Sequence, residues 1–286
     1  MPWKQGYTIS DEVGLRDDEV QWPDGNRCCV SVVVDLSVAR GPEGIRAADL
    51  MHPEAQFGAH DGLDQLLAVL RHFGITATFA VPAVIAELRG DRIRALLAEG
   101  HEIADHMWEH HVPKDPALER DHLLKTADAL EAIAGRRPVG SRSEHTPALL
   151  KQEGFLYISH ESADHRPYYL SDADGGATIL NLPFHYAIDD AMFYSFAWLG
   201  SGNAAQRITD PDRVFDLWWA AFWQQYRAGG YLNIVVHPFV SGRALRIDML
   251  DRLITRMKSL PGVWFPTCEQ VARHCLEHFP PRRNAA

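Results

Sequence analysis

The run from Cys28 to Val34 holds four valines and no charge before it ends on Asp35. β-Branched residues at strand length, without polar alternation, describe a strand buried on both faces, as in a parallel sheet covered by helices. A second run of this kind, Tyr231 to Val236, ends on His237-Pro238. Apolar spacing predicts helices over 61–73, 91–99, 116–134, 146–153, 210–228, 246–258 and 267–278. Strands are predicted over 77–82, 102–105, 156–159 and 179–183, with a short one near Trp264. Gly74 and Gly135 stop their helices, and Thr146 before Pro147 is placed to cap the next. The alternation is that of an α/β fold, and in an α/β barrel the C-terminal rim carries the chemistry.

Residues 1–27 read as an irregular arm ending in Trp22-Pro23-Asp24-Gly25, 28–278 as one catalytic barrel and 279–286 as a tail. The connection 36–60, with Gly41, Gly44 and Gly58, is long for a compact domain and is expected to cover the site or a partner subunit. The stretch 160–176 is polar and rich in turn residues.

At 286 residues the chain has the length of a single α/β barrel, and 46% hydrophobic with 23% charged residues is an ordinary globular balance. A formal charge of −10 argues against nucleic acid as a partner, because phosphate binding needs basic surface. No run approaches the ~18 apolar residues of a membrane span, and the start has no apolar signal core, so a cytoplasmic protein away from membranes is expected. Cys28, Cys29, Cys268 and Cys275 form no spaced metal-binding pair and read as buried thiols, with a catalytic thiol as the alternative. Trp218, Trp219, Phe222 and Trp223 make a stripe suited to core or subunit contact.

The segment from Gly100 to His111 delivers His106, His110 and His111 within six residues. If the backbone coils after His106, the four-residue spacing puts His106 and His110 on one face. Converging imidazoles at a strand end make a metal or acid–base site, the alternative being ordinary surface histidines. Asp35 and His237 occupy equivalent strand tips; Asp35 alone would also serve as a helix cap. Asp189 and Asp190 read equally as turn residues or substrate contacts. Arg243 and Arg246 read as substrate ligands or as ion-pair partners of the following helix. His111, His145, His185, Trp108 and Glu144 are further pocket candidates, and Asp105 a candidate acceptor behind His106.

In chain order these residues, with Gly100 to His110, the Arg137 to Arg142 run and His237 to Arg243, resemble the polysaccharide deacetylase family. The likeness is to the branch with peptidoglycan-deacetylase-like proteins, the metal-independent type of allantoinase and cyclic imide hydrolases. The starts at Met1-Pro2-Trp3 and Val34 to Ser37, and the run Leu182 to Tyr186, are most similar to the imide hydrolases. The resemblance implies a distorted (β/α) barrel, Asp35 as general base, Arg142 orienting it, His237 as acid, and His106 and His110 as ligands of one divalent metal such as zinc. It departs at Leu36 and Ser37, where the family's second metal-binding aspartate is expected, so metal-bound and metal-independent chemistry both stand open. Ser37, Trp108, His185, Asp190 and Arg243 are assigned to substrate contact. The expected activity is hydrolysis of a non-peptide carbon–nitrogen bond in a small cyclic amide, imide or ureide. N-acetyl sugar deacetylation and an inactive binding barrel are the alternatives. A homo-oligomer, on the branch's pattern a tetramer, is expected.

Overall fold

The structure is a computed structural model that describes residues 12–13, 20–38, 43–160, 164–171, 177–194 and 209–281. Among these residues, ten strands follow in chain order. They are β1 Glu12–Val13, β2 Cys28–Asp35, β3 Thr78–Val81, β4 Glu102–Asp105, β5 Gly140–Ser141, β6 Tyr157–Ile158, β7 Tyr168–Ser171, β8 Ala177–Asn181, β9 Tyr231–Val236 and β10 Val263–Trp264. The parallel run is β9-β2-β3-β4-β5-β6-β8, with β7 and β1 added antiparallel beyond β8 and β10 pairing the start of β2. A parallel bridge between Asp189 and Val235 joins the chain after β8 to β9, so the two ends of the run meet and the sheet curls into a barrel.

Register and alternation explain where the site falls. Val34 pairs Val236, Asp35 pairs Ala80, Val81 pairs Asp105, and Asp105 pairs Ser141. Asp35 and His237 are therefore level with each other, and His106 and Arg142 stand two residues further up the same rim. Side chains alternate across a strand. In β2, Cys28, Val30, Val32 and Val34 pack under the outer helices, while Cys29 and Val33 join the inner cluster with Tyr157, Leu180, Tyr231 and Val235. Asp35 shares the inner parity of Cys29 and Val33, and His237 that of Tyr231 and Val235. Cys28 and Cys29 thus point to opposite faces as expected, and all four cysteines are buried. Burial pushes the Cys28, Cys268 and Cys275 thiols up to about 12, which leaves them unreactive structural groups.

The barrel floor is closed by Glu102, which shares the inward parity of His106 two steps up β4. Its carboxylate accepts hydrogen bonds from Thr78 Oγ1 (2.7 Å), Tyr157 OH (2.7 Å) and Glu269 N (2.8 Å). Burial raises the carboxyl, and the Glu269 amide, Thr78 and Tyr157 oppose that shift. These bonds fasten the N-terminus of the last helix, Cys268–His278, whose Thr267–Gln270 capping box completes the anchor. Above Glu102, the Tyr157 ring crosses the interior so closely to β5 that a Cβ on Gly140 would lie 1.9 Å from its Cζ.

Several elements differ from the sequence reading. The connection 36–60 holds two short helices, Ala47–Leu50 and Pro53–Phe57, and a π-helical turn, Gly58–Gly62, leads into the helix Leu63–Phe73. The arm is not wholly irregular: Glu12–Val13 pairs with β7, and Val20 and Trp22 are buried in the inner cluster. The polar stretch after β6 contains β7, whose tyrosines bury against the sheet. A helix over Ala83–Leu88, led by Pro82, is too short to show a period. Thr146 sits at the helix start without capping it; its hydroxyl donates to Glu119 Oε2 (2.9 Å) instead. On the helix Pro211–Ala228, Trp218 and Phe222 are core residues, whereas Trp223 faces outward. The Met1-Pro2-Trp3 start and most of the tail lie outside the described residues, but Phe279 packs on the inner cluster and its carbonyl accepts from Tyr169 OH (3.0 Å). No helix among the described residues is long and apolar enough to cross a membrane.

Gly140→Ala should cost about 3 kcal/mol or more, because the added methyl overlaps the Tyr157 ring in a filled interior. Gly74→Ala, at a positive φ of 61° with open space around its Cβ, should cost about 1 kcal/mol. Thermal melts of the two variants check the contrast.

Candidate active site

Asp35 is the centre of a buried charge cluster at the rim. Its Oδ2 lies 3.1 Å from His106 Nε2, 3.2 Å from Arg142 Nε and 3.5 Å from His237 Nε2, while Oδ1 accepts from the Ser37 amide (2.9 Å). Burial pushes the Asp35 carboxyl up, but the charges and hydrogen bonds of His106 and His237 outweigh it and hold the group well below the usual carboxylate range. Asp35 is thus ionised throughout the neutral range. The early acid, the middle imidazole, the arginine and the late imidazole meet as the sequence reading required.

His237 is held from both sides. Its Nδ1 lies 2.7 Å from Asp190 Oδ1, and its backbone N–H donates to Asp190 Oδ2 (2.9 Å). Burial pushes His237 down, yet Asp35 and Asp190 together raise it well above the ordinary histidine value, so it is an imidazolium near neutrality. Asp189 stands 3.8 Å from the same Nδ1 and 3.6 Å from Arg142 Nη2, and burial raises its carboxyl to about 6 against the pull of His237 and Arg142. Asp190 is therefore not the substrate contact first assigned: it is fully buried behind His237 and fixes which ring nitrogen faces Asp35. Sequence reasoning missed this, because an aspartate pair after a strand looks the same whether it turns the chain or orients a side chain.

His106 and His110 do come together, with ring centroids 4.2 Å apart, but not through a helical turn. The chain passes through two left-handed residues, Met107 (φ 66°) and His110 (φ 61°), conformations that non-glycine residues rarely adopt and that cluster at functional sites. His106 Nδ1 is bonded to the Arg142 carbonyl, not to Asp105. Asp105 has the opposite parity on β4 and is spent elsewhere: Oδ1 accepts from the Met107 amide (3.1 Å) and Oδ2 from Ser141 Oγ (2.5 Å), which in turn meets Ser143 Oγ (2.7 Å). This chain holds the loop that presents Arg142, whose guanidinium lies 4.0 Å over the Phe184 ring. Arg142 Nη1 is buried without a hydrogen-bond partner.

The other assigned contacts spread more widely. Ser37 is buried beside Asp35 and its hydroxyl has no partner. Trp108 is half-buried under Lys125, whose Nζ lies 3.4 Å above its ring. His185 is half-buried and bonded through Nε2 to the Asp164 carbonyl (2.9 Å), beside His165. Arg243 is exposed and stacks on Phe57 at 4.4 Å, and Arg246, expected in an ion pair, donates to the Val240 carbonyl (3.1 Å). His145 is buried against Glu119 (3.4 Å), and Glu144 faces outward. No contact of His185 or Arg243 reaches Asp35 or His237 among the described residues. Both lie one segment further out than strand-tip counting suggested.

The donor set bears on the implied metal. His106 presents Nε2 to Asp35 in the orientation a ligand needs. Leu36 and Ser37 supply no carboxylate and catalytic zinc takes three protein ligands, so Asp35 itself would have to serve as the third donor and could not at the same time act as a free base. Among the described residues, the group of three ligand-type side chains whose donor atoms all lie within 4.8 Å of one another is Asp189, Asp190 and His237, not a set around His106 and His110. In that group both Asp190 oxygens hold His237, and Asp189 Oδ1 accepts from the Ala191 amide (2.9 Å). These bonds commit Asp190 to holding His237, so the group is built first as a support for that imidazole and is a poor match to a tightly held tetrahedral ion.

A family model described as polysaccharide deacetylase matches residues 56–158. A solved protein of Mycobacterium smegmatis assigned to the polysaccharide deacetylases is 32% identical, with a TM-score of 0.82 over 94% of this chain and 97% of that one. A solved allantoinase is 27% identical, with a TM-score of 0.79 over 91% of this chain and 93% of its own. The peptidoglycan deacetylase of Helicobacter pylori is 23% identical in an alignment 261 positions long that covers 79% of this chain and 88% of that protein. With the rim cluster and the curled parallel sheet, these likenesses establish that the chain belongs to the polysaccharide deacetylase family, hydrolases of carbon–nitrogen bonds other than peptide bonds.

Proposed function

We propose that the protein opens a small cyclic amide, imide or ureide by hydrolysis, using its own side chains. The observation that carries this reading is the state of Asp35: a carboxylate ringed by cations and lacking a neighbouring acid at Leu36 or Ser37. A base whose affinity for protons is so reduced is weak, since proton transfer works best when the pKa lies near the working pH. It suits a carbonyl that is already activated, as in an imide, better than an acetamide that needs Lewis-acid polarisation worth several kcal/mol. The allantoinase likeness supports a ring substrate, as that protein's name denotes.

In this mechanism water attacks the carbonyl carbon and its proton passes to Asp35. The oxyanion develops against Arg142 Nη1, a donor arranged before the reaction begins, while His106 stays bonded between Asp35 and the Arg142 carbonyl. The C–N bond then breaks and the leaving nitrogen takes the proton on His237 Nε2, while Asp190 keeps the ring in place from Nδ1. Deacetylation of an N-acetyl sugar is the second reading, favoured by the Helicobacter pylori relative's name. We further propose a cytoplasmic homo-oligomer acting on a small molecule.

Turnover of succinimide and hydantoin rings against N-acetylglucosamine oligomers, with and without chelator, decides between the readings. Ring opening unaffected by chelator is expected; chelator-sensitive deacetylation reverses the order. Asp35→Asn should lower kcat/KM by about 10³. Asp190→Asn should lower kcat by about 10² and move the alkaline limb of the pH–rate profile to lower pH. The sign follows because removing one of the two carboxylates that raise His237 lets its proton leave earlier as pH rises.

A further inference from the structure

Beside the rim lies a separate cavity of about 40 Å³, walled by the residues that follow the two catalytic strand tips. Leu36, Ser37 and Val38 continue from Asp35, and Pro238 and Phe239 continue from His237. Ala55, from the connection after β2, and Ile85, from the helix after β3, close it, packed with Val38 in one apolar cluster. The π-helical turn over Gly58–Gly62 lets this wall come close: a Cβ on Gly58 would lie 2.7 Å from Phe239 Cβ, and one on Gly62 2.2 Å from the Pro238 carbonyl oxygen. The polar wall residues are mostly engaged among themselves. Arg89 donates to Gln56 Oε1 (3.1 Å), Gln56 donates to the Leu50 carbonyl (2.6 Å), and Arg92 pairs with Asp64 (2.5 Å). Two buried polar atoms of the wall have no partner, Arg92 Nε and the hydroxyl of Ser37, and of the two residues Ser37 is the one adjacent to Asp35, at 1% exposure.

We propose that this cavity is a specificity subsite that takes a one- or two-carbon alkyl substituent on the ring of the substrate, with Ser37 Oγ bonding the ring's polar edge at its mouth. The inference rests on the ring-hydrolase reading and deepens it. A water needs about 10–15 Å³ of such space and a benzene-binding cavity offers about 150 Å³, so this one is too small for the ring itself but holds a short alkyl group. An apolar lining favours an alkyl group over a water, which needs two or more polar partners. The wall is built from the chain neighbours of Asp35 and His237, Leu36 to Val38 and Pro238 to Phe239, so a group held there sits next to the segments that carry both rim residues. Ser37, in the place of a carboxylate, serves the substrate's polar edge and not a cation.

The test uses succinimide, 2-methylsuccinimide, 2-ethylsuccinimide and 2-phenylsuccinimide with the full-length protein, reading kcat/KM by turnover and Kd by calorimetry. Each buried carbon should improve kcat/KM and Kd about fourfold up to ethyl, and phenyl should fall below the plain ring. Ala55→Val, which fills the space, should reduce the ethyl-to-plain ratio about tenfold. Ile85→Ala, which enlarges it, should move the optimum to a longer chain in a propyl- and butyl-extended series, so a folding failure of one variant leaves the other. Equal ratios in wild type and both variants overturn the subsite while the hydrolase reading stands. If no ring is turned over, that reading fails by itself, and the calorimetric series still judges the cavity: affinities that do not tighten with alkyl length, or no binding at all, overturn it.

Discussion

A single ionised carboxylate buried at the rim, Asp35, sets the terms for the rest of the molecule. Removing such a charge from water costs several kcal/mol, and it persists only where cations and hydrogen-bond donors converge on it. Here they arrive from four different strand ends: His106 after β4, Arg142 after β5, His237 after β9 and the Ser37 amide after β2 itself. None of these contacts is local in sequence except the last. The barrel register, which aligns Val34 with Val236 and Val81 with Asp105, is what allows the charge to be carried.

The same parity that turns Asp35 and His106 inward also stacks the layers beneath them. Down β4 the inward positions run from His106 through Ala104 to Glu102, from reactive rim to structural floor. Both ends of that column are polar, and each is satisfied differently. The floor is saturated by three neutral donors and holds a helix in place, whereas the rim is held by cations and keeps Arg142 Nη1 unspent. A carboxylate that is fully bonded by neutral groups stabilises; one surrounded by charge with donors left over is equipped to act.

Much of this was legible in the residues. The valine run ending on Asp35 and the Tyr231 to Val236 run ending on His237 gave the parallel sheet and its two rim groups, because period and burial follow from side-chain chemistry alone. Long helices such as Pro116–Ala134 were also readable from their stripes and stops. What escaped was set by non-local packing. The helices Ala47–Leu50 and Ala83–Leu88 run for less than two turns, too short for a period to repeat, and β7 exists because β8 offers it an edge. At the site, the pairing of His106 with the Arg142 carbonyl depends on backbone placement across 36 residues, and the left-handed Met107 and His110 replace the helical turn that the spacing suggested. Asp190's role behind His237 rests on a separation of 47 residues that no local pattern encodes.

The bridge between Asp189 and Val235 ties two properties that are usually separable. The dipeptide Asp189-Asp190 closes the gap between β8 and β9 through backbone pairing, and the same two carboxylates stand at the Nδ1 side of His237. The bridge that joins the sheet and the charge that surrounds His237 therefore share one corner. A graft that shifts the 189–190 corner by one residue would break the bridge to β9 and displace the carboxylates behind His237 in the same step.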